Sequence, residues 1–350
     1  GDILAMSSSP RFDPNLFVGE MTTAQWKDLS VDKKLNNRAV QGVYPPGSTF
    51  KIFTGIAGLS EGVIGQTNRV FCNGALHFAG RDYKCHKKSG HGSVDFYEAL
   101  VQSCDVYFYT VGQRLGGDRI NEYATKFGLG VKSGIELNDE NQGLVPSSEW
   151  KRRRFHERWY PGETLSVSIG QGAVSLTPLQ IANGVAAVVN GGTLYKPRLI
   201  KSVISIDGNK LVDDSNPTVT RKIDLDPKLF TLVKNSLIGV VNDPRGTAKR
   251  AQLPKELNVT VGGKTGTAQV AGLHHGTKGH LNDHAWFVGY APADNPQIVV
   301  ATVVENGGHG GAVAAPVTQK VMERFFDPDG KLVPKTPEVK PTAQPTEGGD

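Results

Sequence analysis

The sequence has no apolar run approaching the roughly 18 residues that a membrane-spanning helix requires, and its opening shows no leader pattern of basic then apolar residues. It starts directly on Gly1-Asp2-Ile3-Leu4-Ala5-Met6, which already reads as strand, as an excised segment would. Cysteine is scarce. Cys72, Cys85 and Cys104 are too few for a stapled secreted mini-domain, and any one disulfide leaves an orphan. Charge is nearly balanced, with 39 basic against 34 acidic residues, and the resulting +5 gives no argument for a nucleic-acid partner. No internal repeat is visible. What is there, 38% apolar and 21% charged over 350 residues, describes an ordinary globule with ample core.

Punctuation along the chain places the elements. Pro45-Pro46-Gly47 stops a polar stretch, and Ser48 is expected to cap a helix running to about Ser60. An insert from Gly62 to Gly92 holds two cysteines and no clear periodicity, so another constraint shapes it. Asp95 with Glu98 makes a capping-box pattern. Helices are expected over 106–115 and 118–127, closed by glycines, and after Thr177-Pro178 and Asp226-Pro227. Residues 257–261, 265–270, 285–290 and 297–305 read as strands, and 315–325 as a last helix. The tail from 327 to 350, rich in Pro, Lys, Glu and Thr, reads as disordered. This pattern predicts an α+β domain over 1–326. Its antiparallel sheet would join the N-terminal strand to 257–305, with a helical lobe inserted at about 60–225.

Three short motifs carry chemistry jointly. Ser48-Thr49-Phe50-Lys51 puts a hydroxyl and an amine on one helix face, where a desolvated lysine can take the serine's proton. The helix start adds backbone N–H groups suited to an oxyanion. Ser103-Cys104-Asp105 lies between two helices, and by itself reads as no more than a cap. Lys264-Thr265-Gly266-Thr267 supplies a cation, two hydroxyls and a glycine that permits close approach to the strand, a set that fits a carboxylate. Gly263-Lys264-Thr265 imitates the end of a phosphate-binding loop, but Asn258 stands where that loop needs glycine.

S-x-x-K, S-D-N and K-T-G together mark penicillin-binding proteins and serine β-lactamases, and here all three occur in that order. Further likeness runs through Ser168-Ile169-Gly170-Gln171-Gly172, Thr177-Pro178-Leu179-Gln180, Asp283-His284-Ala285-Trp286-Phe287 and Ala314-Ala315-Pro316. The chain therefore resembles the class B penicillin-binding proteins over nearly all of 1–326, and among them the penicillin-binding protein 2 group of rod-shape elongation. Asp105 in place of the usual Asn points to that group as well. The resemblance implies a D,D-transpeptidase that cross-links peptidoglycan stem peptides through an acyl-enzyme and is acylated by β-lactams, with no cofactor for catalysis. It makes Ser48 the nucleophile and Lys51 its base. Ser103 becomes a proton relay, and Asp105 the group that holds Lys51 and the substrate amide. Lys264, Thr265 and Thr267 become the carboxylate site, and the N–H groups of Ser48 and Thr267 the oxyanion hole. It also implies a location at the periplasmic face of the inner membrane, through an N-terminal helix absent from this chain. The implied partners are a SEDS-type glycosyltransferase and the elongation complex.

Two alternatives are weighed against it. A class A β-lactamase needs a glutamate to activate water; Glu136-Leu137-Asn138 mimics the end of that loop, but Gly134 stands at the glutamate's place. A non-catalytic penicillin sensor or scaffold would keep the fold without turnover. Two further features remain open. Cys72, Cys85, His91 and Cys104 give the four ligands of a closed structural zinc site. Their separations of twelve, five and twelve residues select no known pattern, and His86 or His77 could replace His91 as fourth ligand. One disulfide plus a free thiol is the competing reading, while some penicillin-binding protein 2 members are thought to hold zinc there. Lys151-Arg152-Arg153-Arg154 reads first as a solvated loop and second as an attractor of anionic wall polymer, and His274-His275 as a candidate lid.

Overall fold

The computed structural model describes residues 1–31, 33–213, 216–269 and 282–333. The pair His274-His275 and most of the expected tail lie outside them. A short helix α1 (Thr23–Val31) precedes the first motif. Around that motif a single 3-10 turn (Gly47–Phe50) runs straight into α2 (Lys51–Ser60), so Ser48 sits inside the first turn and caps nothing. The insert folds into two small antiparallel ladders: β1 (Val70–Cys72) with β4 (Gly92–Val94), and the hairpin β2 (Ala75–Phe78) with β3 (Arg81–Lys84).

The helices follow their caps. Asp95 and Glu98 close a capping box on α3 (Phe96–Val101), and Gly116 ends α4 (Asp105–Leu115) before α5 (Gly117–Lys126). Two helices carry no periodic apolar stripe and escape sequence reading: α6 (Ser148–Phe155) and α7 (Pro161–Ser168). Thr177 and Gln180 box the start of α8 (Pro178–Val189). Two peripheral ladders follow, β5 (Thr193–Tyr195) with β8 (Val219–Lys222) and β6 (Ser202–Ile204) with β7 (Lys210–Asp213). Asp226 caps α9 (Pro227–Asn242).

A three-stranded antiparallel sheet comes last, in the order β11 (Ile298–Val304), β10 (His284–Ala291), β9 (Gly262–Ala268), and α10 (Gly310–Phe326) lies across it. Along β10 the side chains alternate, as a pleated strand requires. Trp286, Val288 and Tyr290 enter the large helical core, while Ala285, Phe287 and Ala291 meet Ala314, Ala315 and Met322 of α10. The strand is thus buried on both faces and clamps lobe and sheet together.

Three expectations need correction. The N-terminal segment adds no strand to this sheet among the described residues: Asp2 forms one isolated parallel bridge, with Arg198. Strand-forming residues mark an extended segment but do not name its partner. Residues 257–261 are not a strand either, because a 3-10 turn ends at Asn258, whose φ of 48° breaks any extended run. The tail read as disordered from 327 begins with an ordered turn, in which the Asp327 carboxylate accepts from the N–H groups of Lys331, Leu332 and Val333.

Candidate active site

The loop before α2 is pressed against strand β9. Gly47 has a φ of 54°, and a Cβ there would stand 2.5 Å from the carbonyl oxygen of Thr267; only glycine satisfies both the backbone and the approach. Gly266 serves the same contact from the other side, since its Cβ would reach 2.6 Å from the carbonyl of Pro46. The glycine read as room for a ligand is therefore room for the protein's own backbone. The result presses Gly47, which directly precedes the half-buried Ser48, against the backbone of Thr267.

Lys51, one turn further on, is fully buried. Its ammonium donates to Asp105 Oδ1 at 2.7 Å, to the carbonyl of Ser103 at 2.8 Å and to Ser103 Oγ at 3.2 Å. The Lys51 backbone N–H donates to the Ser48 carbonyl, but among the described residues no hydrogen bond joins Ser48 Oγ to Lys51 Nζ. Ser103 adopts a φ of 58°, rare for a residue with a Cβ. That kink turns its hydroxyl inward, away from α4, whose cap position is taken by Cys104 without any side-chain bond. The second motif is thus not a helix cap.

Lys264 Nζ donates to the same Ser103 hydroxyl at 2.9 Å and to the carbonyl of Thr265 at 3.3 Å. Ser103 Oγ therefore bridges two lysines. Burial, with repulsion from Lys51 added, pushes the Lys264 ammonium well below the usual lysine range, and the Asp105 charge offsets only part of this. For Asp105 burial acts in the opposite sense, raising its carboxyl, but the Lys51 charge and a hydrogen bond from His86 outweigh it and hold the group low. Lys51, Ser103, Asp105 and Lys264 are joined by these bonds, and Ser48 lies one turn before Lys51. Thr265 is held from behind by Thr247, hydroxyl to hydroxyl at 2.8 Å.

Sequence reading missed two partners. Thr247 carries no motif. His86 was weighed only as a metal ligand, yet its backbone N–H donates to Asp105 Oδ2 at 2.8 Å, and its ring lies 3.3 Å from the same oxygen. Asp105 and Cys85, in that order, raise the His86 imidazole above its ordinary range against the effect of burial.

Behind this network, Cys72, Cys85, His91 and Cys104 converge, with one ligand atom of each lying within 4.8 Å of the others. His91 Nδ1 stands 3.7 Å from Cys72 Sγ and 3.5 Å from Cys85 Sγ. All three thiols are buried and free. The neighbouring Cys104 thiol lowers the Cys85 thiol, while Cys85 and burial raise that of Cys104. Of the other histidines considered, His77 pairs with Asp82 on the exposed hairpin, and the His86 ring serves Asp105.

Comparison with known proteins follows this geometry. Residues 1–323 match the penicillin binding protein transpeptidase domain family. The peptidoglycan D,D-transpeptidase MrdA of Haemophilus influenzae is 38% identical over 338 residues, covering 93% of this chain and 51% of that protein. PBP2 of Pseudomonas aeruginosa superposes with a TM-score of 0.81 at 41% identity, over 94% of this chain and 72% of the solved one. A chain of a peptidoglycan synthase complex that coordinates polymerization and crosslinking superposes with a TM-score of 0.80 at 38% identity, over 95% and 55%. The chain spans about half the length of the curated relatives it matches.

Proposed function

The chain belongs to the penicillin-binding protein transpeptidase family, and on that premise we propose that it is a serine D,D-transpeptidase cross-linking peptidoglycan stem peptides during cell-wall elongation. The observation that carries the reading is the buried Lys51–Ser103–Lys264 bridge, anchored on Asp105, with a half-buried Ser48 one turn before Lys51. A binding scaffold has no use for two desolvated lysines on one hydroxyl.

In the proposed reaction Lys51 first passes its own proton to Asp105 Oδ1, 2.7 Å away, and Ser48 Oγ then attacks the carbonyl carbon of the penultimate residue of a donor peptide, giving its proton to the neutral Lys51 amine. The oxyanion rests on the N–H groups of Ser48 and Thr267. The C–N bond breaks, and the D-alanine amine leaves with a proton relayed from Lys51 through Ser103 Oγ. An acceptor amine then attacks the ester, forming the new amide and returning the proton to Ser48. The missing hydrogen bond between Ser48 Oγ and Lys51 Nζ accords with a free enzyme, where such contacts tighten only around substrate. The donor's terminal carboxylate would meet Thr265, Thr267 and Lys264, and its charge would counter the lowering that burial imposes on Lys264. A β-lactam would acylate the same oxygen. The test is intact mass after incubation with a penicillin. One adduct per chain is expected, absent in Ser48→Ala; an adduct that persists in that variant removes Ser48 from the role.

The four-ligand cluster fits structural zinc. Tetrahedral ligands at about 2.3 Å from a metal stand roughly 3.8 Å apart, close to the observed separations, and three thiols with one imidazole are a donor set zinc prefers. When bound, the ion would supply no step of the reaction. Cys104, between Ser103 and Asp105, would then be fixed in place with its neighbours. Partners and location follow from relatives only. A SEDS-type polymerase and the elongation complex at the periplasmic face of the inner membrane fit the proposed reaction, and among the described residues no helix is long and apolar enough to cross a membrane.

A further inference from the structure

The basic run of α6 is not uniform. Lys151 is nearly buried, and its ammonium takes Glu163 at 2.5 Å and Glu157 at 3.4 Å. One cation thereby ties up both carboxylates of the α6–α7 turn. Arg153 keeps a loose pair with Glu149 at 3.7 Å. Arg152, Arg154 and Arg158 have no carboxylate within ion-pair distance among the described residues, and all are exposed. Arg154 rests over the Phe155 ring at 5.9 Å and Arg158 over Tyr160 at 5.5 Å, and both rings are themselves exposed. A solvated loop would more cheaply pair its own charges. Here the acids are turned inward and the guanidiniums left outward.

This patch adjoins the β2–β3 hairpin. Gly162 of α7 packs under Tyr83, whose hydroxyl lies 2.5 Å from where a Cβ would stand. The hairpin and the residues after it present exposed Arg81, Lys84, Lys87 and Lys88, while Asp82 is engaged by His77 at 2.8 Å. The same segment continues to His86, whose N–H reaches Asp105. Uncompensated positive charge thus runs from the α6–α7 turn to the edge of the catalytic cluster.

We propose that this surface is a docking rim for the carboxylate-bearing stem peptide of the acceptor strand, an inference that rests on the transpeptidase reading. The second half of that reaction needs an amine to enter while the donor acyl group fills the cleft, so the acceptor peptide must lie along the rim. Its own carboxyl groups remain free, and guanidinium forks beside flat rings match carboxylates and amides better than ammonium points do.

The probe is labelled, uncross-linked glycan strands with free stem-peptide carboxylates, set against the same strands amidated. Combined Arg152→Gln, Arg154→Gln and Arg158→Gln should weaken binding of free-acid strands about tenfold at low salt. Lysine at all three positions should retain binding within about threefold, and amidated strands should bind weakly throughout. The single change Arg152→Glu gives a second, smaller loss in a chain with two guanidiniums left. Unchanged binding by the glutamine variant, or amidated strands bound as tightly as free-acid ones, overturns the rim. Penicillin acylation of the unaltered chain is measured alongside: its absence counts against the transpeptidase reading, whereas strand binding decides the rim.

Discussion

The His86 backbone N–H donates to Asp105 Oδ2 at 2.8 Å, opposite the bond from Lys51 to Oδ1 at 2.7 Å. Asp105 is therefore held between α2, which bears Lys51, and the insert that bears Cys72 and Cys85. His86 follows Cys85 directly and Asp105 follows Cys104 directly, so the cysteine cluster grips both ends of that hydrogen bond.

Zinc removal and Cys104→Ser should then act alike. Outer-shell losses at metal sites typically cost 10–100-fold, and a fall of about tenfold in penicillin acylation is expected together with a lower melting temperature. Elemental analysis of protein purified without added metal should find close to one zinc per chain. Under about 0.2 per chain, with a Cys–Cys crosslink in the peptide map, the site does not exist.

Lys51→Ala should slow acylation by about 10²–10⁴-fold, the usual loss for a general base. It also strands a buried carboxylate, which typically destabilises by about 3–5 kcal/mol. Adding Asp105→Asn should restore much of that stability and none of the acylation. Denaturant unfolding separates the two effects: a double variant no more stable than Lys51→Ala would mean that the pair is not coupled.

The acyl-enzyme should persist for many minutes. Deacylation by water needs a carboxylate base near the ester, and the candidate segment offers none. Glu136 is bound to Lys196 at 2.9 Å, and Glu140 accepts from the N–H groups of Ser133 and Gly134. Time-resolved mass after rapid removal of penicillin checks this; recovery within seconds would restore the β-lactamase reading.

Legibility tracked distance along the chain. Caps such as Asp95 with Glu98 and Thr177 with Gln180 act over three residues, and they placed their helices well. The strands β10 and β11 were visible because β-branched and aromatic residues crowd them. In α6, four of eight residues are basic and no apolar stripe exists, so nothing local announced a helix. The side chains proposed as catalytic were visible as motifs, each a local signal. Their mutual contacts were not: Lys264 meets Ser103 across 161 positions and His86 meets Asp105 across 19. The N-terminal segment failed for the same reason, since an extended stretch does not say which edge it joins.

Lys264→Met tests whether this site trades stability for chemistry. Folding buries the amine, and burial with the Lys51 charge lowers its affinity for a proton, whereas the unfolded chain titrates near 10.5. Between the two values the unfolded chain holds a proton that the folded chain lacks, so stability rises with pH across that window. The penalty is fully present below the folded value and vanishes as pH passes the unfolded one. Methionine has a similar shape and no charge to desolvate. The variant should therefore melt at or above the parent temperature at neutral pH, the gap closing as pH approaches 10, while penicillin acylation falls by at least about 10²-fold. Melting curves across that pH range decide it. A variant that melts lower at neutral pH, by the same margin at every pH, would show that Lys264 stabilises the fold through its bonds to Ser103 and Thr265 and carries no buried-charge penalty.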